Sequence, residues 1–125
     1  MKKFNEAFDE FHRRGWWFHI FPEACRWDFY KPLRPFQKGA FTMSYKYNKP
    51  LLPCVITYRE RKGIFRLLGP KDLPLLTVTI GEPILPDTTQ PRKAEVDRLR
   101  ELAHAQMTQM AGITHNPWPA AWGGQ

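Results

Sequence analysis

Twelve prolines in 125 residues leave little uninterrupted chain for long elements. Proline lacks an N–H and fixes φ, so it ends or bends most elements that run into it. Short elements and numerous loops follow. Pro22 does this directly after the run Trp16-Trp17-Phe18-His19-Ile20-Phe21. That run is aromatic and β-branched and is bounded by Gly15, so it reads as a buried strand. Glu23 and Arg26 then fall in the loop leaving the strand's carboxyl end, where open α/β sheets usually bind ligands. By spacing alone the pair is also an ordinary solvated ion pair.

The other segments fit the same punctuation. Phe4, Phe8 and Phe11, with Ala7 beside them, place an apolar stripe on a helix over 3–14, with Gly15 as its stop. That stripe is expected to face the core. A loop with Pro22, Pro32 and Pro35 covers 22–36. A helix begins near Gln37 or Lys38 and runs to about Tyr47, where Asn48-Lys49-Pro50 ends it. Its free N–H groups, with Lys38 alongside, make an anion site, and Gly39 permits close approach of a ligand or strand. Leu51–Tyr58 reads as a second strand with Pro53 at its start or at a bulge. Arg59–Gly63 is a charged turn, Ile64–Leu68 a strand completing a hairpin, and Leu75–Gly81 a further strand. Pro91 opens a last helix whose apolar face is Val96, Leu99, Leu102, Ala103, Met107 and Met110, ending near Gly112. The stretch 113–125, with Pro117, Trp118, Pro119 and Trp122, reads as a flexible tail. No repeat or internal linker divides the chain, which reads as one domain.

Charge matters for partners. The chain carries a net +7, and residues 39–71 hold seven Lys/Arg against one acid, Glu60. Lys46, Lys49, Arg59, Arg61, Lys62, Arg66 and Lys71 favour an anionic partner: nucleic acid, anionic lipid or a phosphorylated small molecule. Tyr45, Tyr47 and Tyr58 lie among them, as stacking platforms for nucleic acid would. Cys25 and Cys54 form neither a disulfide framework nor a zinc motif, which fits a reducing compartment. Cys25 reads as an inert thiol and His19 as a packed strand residue rather than a ligand. Met1-Lys2-Lys3 opens no signal peptide, and no run approaches the roughly 18 apolar residues of a membrane span.

Four blocks, taken in order, resemble the glycerolipid acyltransferases of the 1-acylglycerol-3-phosphate acyltransferase family. Phe21-Pro22-Glu23-Ala24-Cys25-Arg26-Trp27 is similar to the family's Phe-Pro-Glu-Gly-Thr-Arg-Ser. Pro35-Phe36-Gln37-Lys38-Gly39-Ala40-Phe41 is similar to Pro-Phe-Lys-x-Gly-x-Phe. Leu51-Leu52-Pro53-Cys54-Val55-Ile56 resembles the next block, a hydrophobic strand around a proline. Val78-Thr79-Ile80-Gly81-Glu82-Pro83-Ile84 resembles Val-x-Ile-Gly-x-Pro-Ile. Ala24, Cys25 and Trp27 depart from the commonest Gly, Thr and Ser, which suggests a different substrate preference. The family's catalytic His-x-x-x-x-Asp is not matched. The residues five after His12, His19, His104 and His115 are Trp17, Ala24, Gln109 and Ala120.

The resemblance implies an α/β fold, a mixed sheet flanked by helices, and the carboxyl-terminal part of such a domain over 1–112, with the tail over 113–125. It implies acyl transfer from acyl-CoA or acyl-ACP to lysophosphatidic acid or a related lysophospholipid, in phospholipid biosynthesis. This chain would supply the acceptor-binding part and be inactive alone, because the histidine base and its orienting aspartate are absent. Arg26 would grip the acceptor phosphate, since a guanidinium binds two oxygens at once. Glu23 would orient Arg26 or accept from an acceptor hydroxyl, with Lys38 and Gly39 completing the substrate site. No cofactor and no metal is implied beyond the thioester co-substrate. The expected partners are lysophospholipid, acyl thioester and an anionic membrane surface, not nucleic acid. The expected location is cytoplasmic, peripheral to the membrane's inner face. The rival readings are a basic module binding nucleic acid or anionic lipid, and a non-catalytic truncated relative. In either truncated case, uncovered apolar surface and an open sheet edge are expected.

Overall fold

The computed structural model describes residues 2–24, 33–68, 74–116 and 119–120. Among these the chain forms three α-helices and a two-stranded antiparallel sheet, a mixed α/β arrangement. Helix α1 spans Lys2–Arg13 and α2 spans Gly39–Tyr47. Strand β1 is Cys54–Arg59, β2 is Leu75–Ile80, and α3 is Arg92–Met110.

The three helices stop in the same way. Each has a left-handed residue just past its end: Gly15 at φ 68°, Asn48 at φ 49° and Gly112 at φ 68°. The next amide then reaches back five residues, Trp16 N–H to Phe11, Lys49 N–H to Ser44 and Ile113 N–H to Thr108. These Schellman closures satisfy carbonyls the helix would otherwise leave open. All three stops were legible as Gly or Asn in the sequence.

The core lies where α2 and α3 meet. Phe36, Phe41, Ile84, Val96, Leu99 and Ala103 are buried together, with Leu33, Tyr45, Leu51 and Met107 packed against them. The buried stripe of α3 is Val96, Leu99 and Ala103 at helical spacing, while Leu102 is exposed rather than core-facing. Glu95 is also buried; it accepts from Asp87 N–H at 2.8 Å and pairs with Arg98 at 2.5 Å. The Arg98 guanidinium holds the Glu95 carboxyl below its ordinary range.

The sheet is fastened at one end. Leu51 and Ile84 bridge, and Gly81 N–H donates to Pro53 C=O at 2.8 Å. From there Cys54 pairs Ile80 and the register continues to Arg59 opposite Leu75. Pro53 therefore sits just before the strand, where it needs no ladder donor. The ends of the Met110 and Gln106 side chains close over Gly81, and a Cβ there would displace them, meeting Met110 Sδ at 2.6 Å and Gln106 Nε2 at 2.7 Å.

Two expected strands are absent. Residues 16–21 form no ladder and no regular element, and Trp16, Trp17, His19 and Phe21 are exposed. A strand needs a partner as well as a sequence, and no described residue pairs with this run. Instead it folds back on α1, with the Phe18 ring 4.7 Å from Phe8. The His19 ring packs against the Phe21 ring, with centroids 4.5 Å apart. Phe8 and Phe11 of the α1 stripe therefore meet Phe18 and Trp16 and lie outside the buried core cluster. Residues 64–68 likewise form no strand; Gly63–Arg66 is a 3-10 helix. The partner of β1 is β2, so residues 61–68 are not needed in the ladder. The Arg61 guanidinium holds this stretch by donating to the carbonyls of Phe65 and Leu68.

Helix α1 docks on the end of α2 through polar contacts. Asp9 accepts from Lys46 Nζ at 2.8 Å and Tyr47 Oη at 2.6 Å, and the His12 ring stacks on Tyr47. Those hydrogen bonds draw the Asp9 carboxyl below its ordinary range.

Candidate functional site

The Phe-Pro-Glu block forms a tight turn. Ala24 N–H donates to Phe21 C=O at 3.1 Å, and Ala24 closes the turn at φ 52°. A left-handed alanine carries its Cβ against the backbone, a conformation that suits glycine better. This explains why glycine is the commoner residue in the resembled motif.

The turn is clipped to the segment before α2. Gln37 N–H donates to Pro22 C=O at 2.7 Å, and Arg34 N–H donates to Glu23 Oε2 at 2.9 Å. Glu23 thus ties the turn to a backbone amide eleven positions further along the sequence. Arg26 and Cys25, the phosphate candidate and its neighbour, lie outside the described residues, as do Lys71, Trp118 and Trp122. The segment is held from a third side: Phe36 N–H donates to Ala120 C=O at 2.9 Å, and Asn116 Nδ2 to Leu33 C=O at 3.1 Å.

Beneath the clip lies His104, a buried residue of α3 that the sequence did not single out. Its ring meets Phe36 edge to face at 4.8 Å. Burial pushes the imidazole below its ordinary value, against the pull of the Leu33 and Arg34 backbone and the Glu23 carboxylate. Its Nε2 makes no hydrogen bond among the described residues. The one signal available was its place on the buried stripe of α3, four residues after Arg100 and five after Leu99.

Glu23 stands at the wall of a large, mainly apolar cleft of about 1610 Å³. Phe18 and Ile20 line it from the aromatic segment, Met43 from α2, Val55 from β1 and Met107 from α3. Lys38 and Gly39 are outside this lining. Lys38 is exposed at the start of α2, and a Cβ on Gly39 would meet open space, so no strand packs there. The structure therefore brings Glu23 to the cleft and leaves Lys38 and Gly39 apart from it. Among the described residues no cluster of three or more His, Cys, Asp or Glu is placed to hold a metal ion. No described helix is long and apolar enough to cross a membrane.

The site is thus a Phe-Pro-Glu turn clipped to a Pro-Phe segment beside an apolar cleft, in a mixed α/β framework. The family model described as Acyltransferase matches residues 1–57. That span contains the turn, the Pro-Phe-Gln-Lys-Gly segment and the entry to β1; the Val-Thr-Ile-Gly block of β2 lies beyond it. Over this amino-terminal segment, a little under half of the chain, the sequence is similar to the acyltransferase family. No curated protein and no solved structure matches the chain.

Proposed function

We propose that the chain is the acceptor-binding part of a glycerolipid acyltransferase acting in phospholipid biosynthesis. It holds lysophosphatidic acid or a related lysophospholipid while an acyl chain arrives from acyl-CoA or acyl-ACP. The observation that carries this reading is the apolar cleft with the Glu23 turn at its wall. An amphipathic acceptor needs an apolar trough for its chain and a polar rim for its head. Arg26, two residues beyond the turn, is the phosphate ligand in this reading, and Lys38 a second cation drawn to the same anion.

In the reaction a base takes the proton of the acceptor hydroxyl, the oxygen attacks the thioester carbonyl, and the thiol leaves. No histidine of this chain has an aspartate five residues on. The base and its orienting carboxylate are therefore not supplied in that form here. The chain works at the cytoplasmic face of a membrane, as a peripheral protein. A nucleic-acid role is less favoured, because the His12 ring covers Tyr47 and Asp9 pairs with Lys46.

The test uses the 125-residue chain with acyl-CoA and lysophosphatidic acid. Trp16 and Trp17 line the cleft, so acceptor binding should change the intrinsic fluorescence without product formation. Arg26→Ala should weaken that binding, by roughly tenfold or more for a lost guanidinium–phosphate contact. Turnover by the chain alone would refute the missing base, and an unchanged Arg26→Ala titration would refute the acceptor site.

A further inference from the structure

We infer that residues 60–68, which follow β1, are an interfacial foot that inserts into the headgroup layer of an anionic lipid bilayer. The inference rests on the lysophospholipid reading in one respect: such an acceptor lives in a membrane.

The foot stands at the free end of the sheet. The Leu51–Ile84 bridge fastens the hairpin to the core at the Cys54 end. The Arg59–Leu75 pair is five residues further along, about 17 Å at the usual strand rise. Beyond that pair the chain presents large apolar side chains to solvent. Ile64 is 66% exposed, Phe65 50%, Leu67 83% and Leu68 57%. None belongs to the buried core cluster. Four such residues in five consecutive positions are unlike the scattered exposed apolar residues of an ordinary surface.

Charge selects the partner. Residues 59–68 carry four cations, Arg59, Arg61, Lys62 and Arg66, against Glu60 alone. Apolar side chains flanked by cations complement an acyl boundary beneath a layer of phosphates. A neutral protein groove would reward the leucines and not the cations.

The backbone is also prepared for partial desolvation. Carbonyls entering an apolar layer without donors cost several kcal/mol each. Here Leu67 N–H donates to Ile64 C=O at 3.0 Å, and the Arg61 guanidinium donates to the carbonyls of Phe65 and Leu68. Arg61 therefore acts as an internal clasp, while Arg59, Lys62 and Arg66 face the headgroups.

The experiment is vesicle flotation of the 125-residue chain, with lysophospholipid left out. Binding to phosphatidylcholine vesicles containing phosphatidylglycerol is expected, stronger than to pure phosphatidylcholine and weakened by salt. Leu67→Asp should reduce it by about tenfold or more. Arg59→Ala and Lys62→Ala should each reduce it by about fivefold. Leu102→Asp places the same change on an exposed position of α3 and should leave it unaltered. Circular dichroism verifies that each variant keeps the fold. Failure to bind anionic vesicles overturns the proposal, as does equal binding by Leu67→Asp or equal loss in Leu102→Asp. If Leu67→Asp instead dissolves a dimer in sedimentation and spares vesicle binding, the foot is an interface between copies and the proposal falls. Acceptor binding by tryptophan fluorescence is read separately, so either reading can fail without the other.

Discussion

Replacing Glu23 probes whether the Phe-Pro-Glu turn holds its loop by a hydrogen bond rather than by charge alone. Glu23 Oε2 accepts the Arg34 N–H at 2.9 Å in a half-buried setting. A hydrogen bond to a charged group is worth about 1.5–3 kcal/mol net. Water reaches a half-buried amide in part, so Glu23→Ala should fall near the low end, about 1.5 kcal/mol. The bond from Gln37 N–H to Pro22 C=O remains, so the turn should loosen rather than detach. Glu23→Gln keeps an acceptor oxygen and loses only the charge, for about 0.5–1 kcal/mol. The readout is amide exchange at Arg34 beside global urea unfolding. Exchange at Arg34 should quicken by about tenfold in Glu23→Ala and less in Glu23→Gln, while amides of α3 follow only the global change. An Arg34 amide that exchanges at the wild-type rate in Glu23→Ala would refute the clip. Equal damage from the two variants would refute the hydrogen-bond accounting.

Ala24→Gly should raise stability by about 0.5–1 kcal/mol in urea unfolding, because Ala24 sits at φ 52° and glycine relieves the left-handed conformation. Leu99→Ala, at a side chain 0% exposed in the core, should cost about 3 kcal/mol or more in the same assay. His104 gives a pH signature. Its folded pKa lies below the ordinary 6.5, so the unfolded chain binds the extra proton first as pH falls. Its contribution is complete above 6.5 and is lost as pH falls from there through the folded value. His104→Leu should flatten that part of a stability–pH profile without a large loss at neutral pH, since it removes a buried polar atom that makes no hydrogen bond among the described residues.

The site was legible in part. The Phe-Pro-Glu and Pro-Phe blocks marked the turn and the segment it grips, because tight turns and proline-bounded loops are written in consecutive residues. Ala24 was visible as a departure from glycine, and the structure supplies the reason in its positive φ. The grip itself was not legible. Glu23 meets a backbone amide eleven residues on, and His104 comes from a helix some eighty residues away. A backbone N–H has no side-chain identity to betray it, and a histidine on an amphipathic stripe looks like its neighbours. The placing of Lys38 and Gly39 outside the cleft was equally hidden, since spacing along a chain does not say which way a helix start faces.

What the sequence determined by itself is the local frame. Gly15, Asn48 and Gly112 stopped the helices, Pro53 preceded β1, and the spacing of Val96, Leu99 and Ala103 set the buried face of α3. These depend on φ, on a missing N–H and on helical period, all properties of a few adjacent residues. Only the tertiary structure decided which apolar runs became strands. Residues 75–80 found β1 and paired, while the equally apolar 16–21 and 64–68 did not. A strand is completed by hydrogen bonds to another segment, so its existence is a fact about two stretches of chain and cannot be read from one.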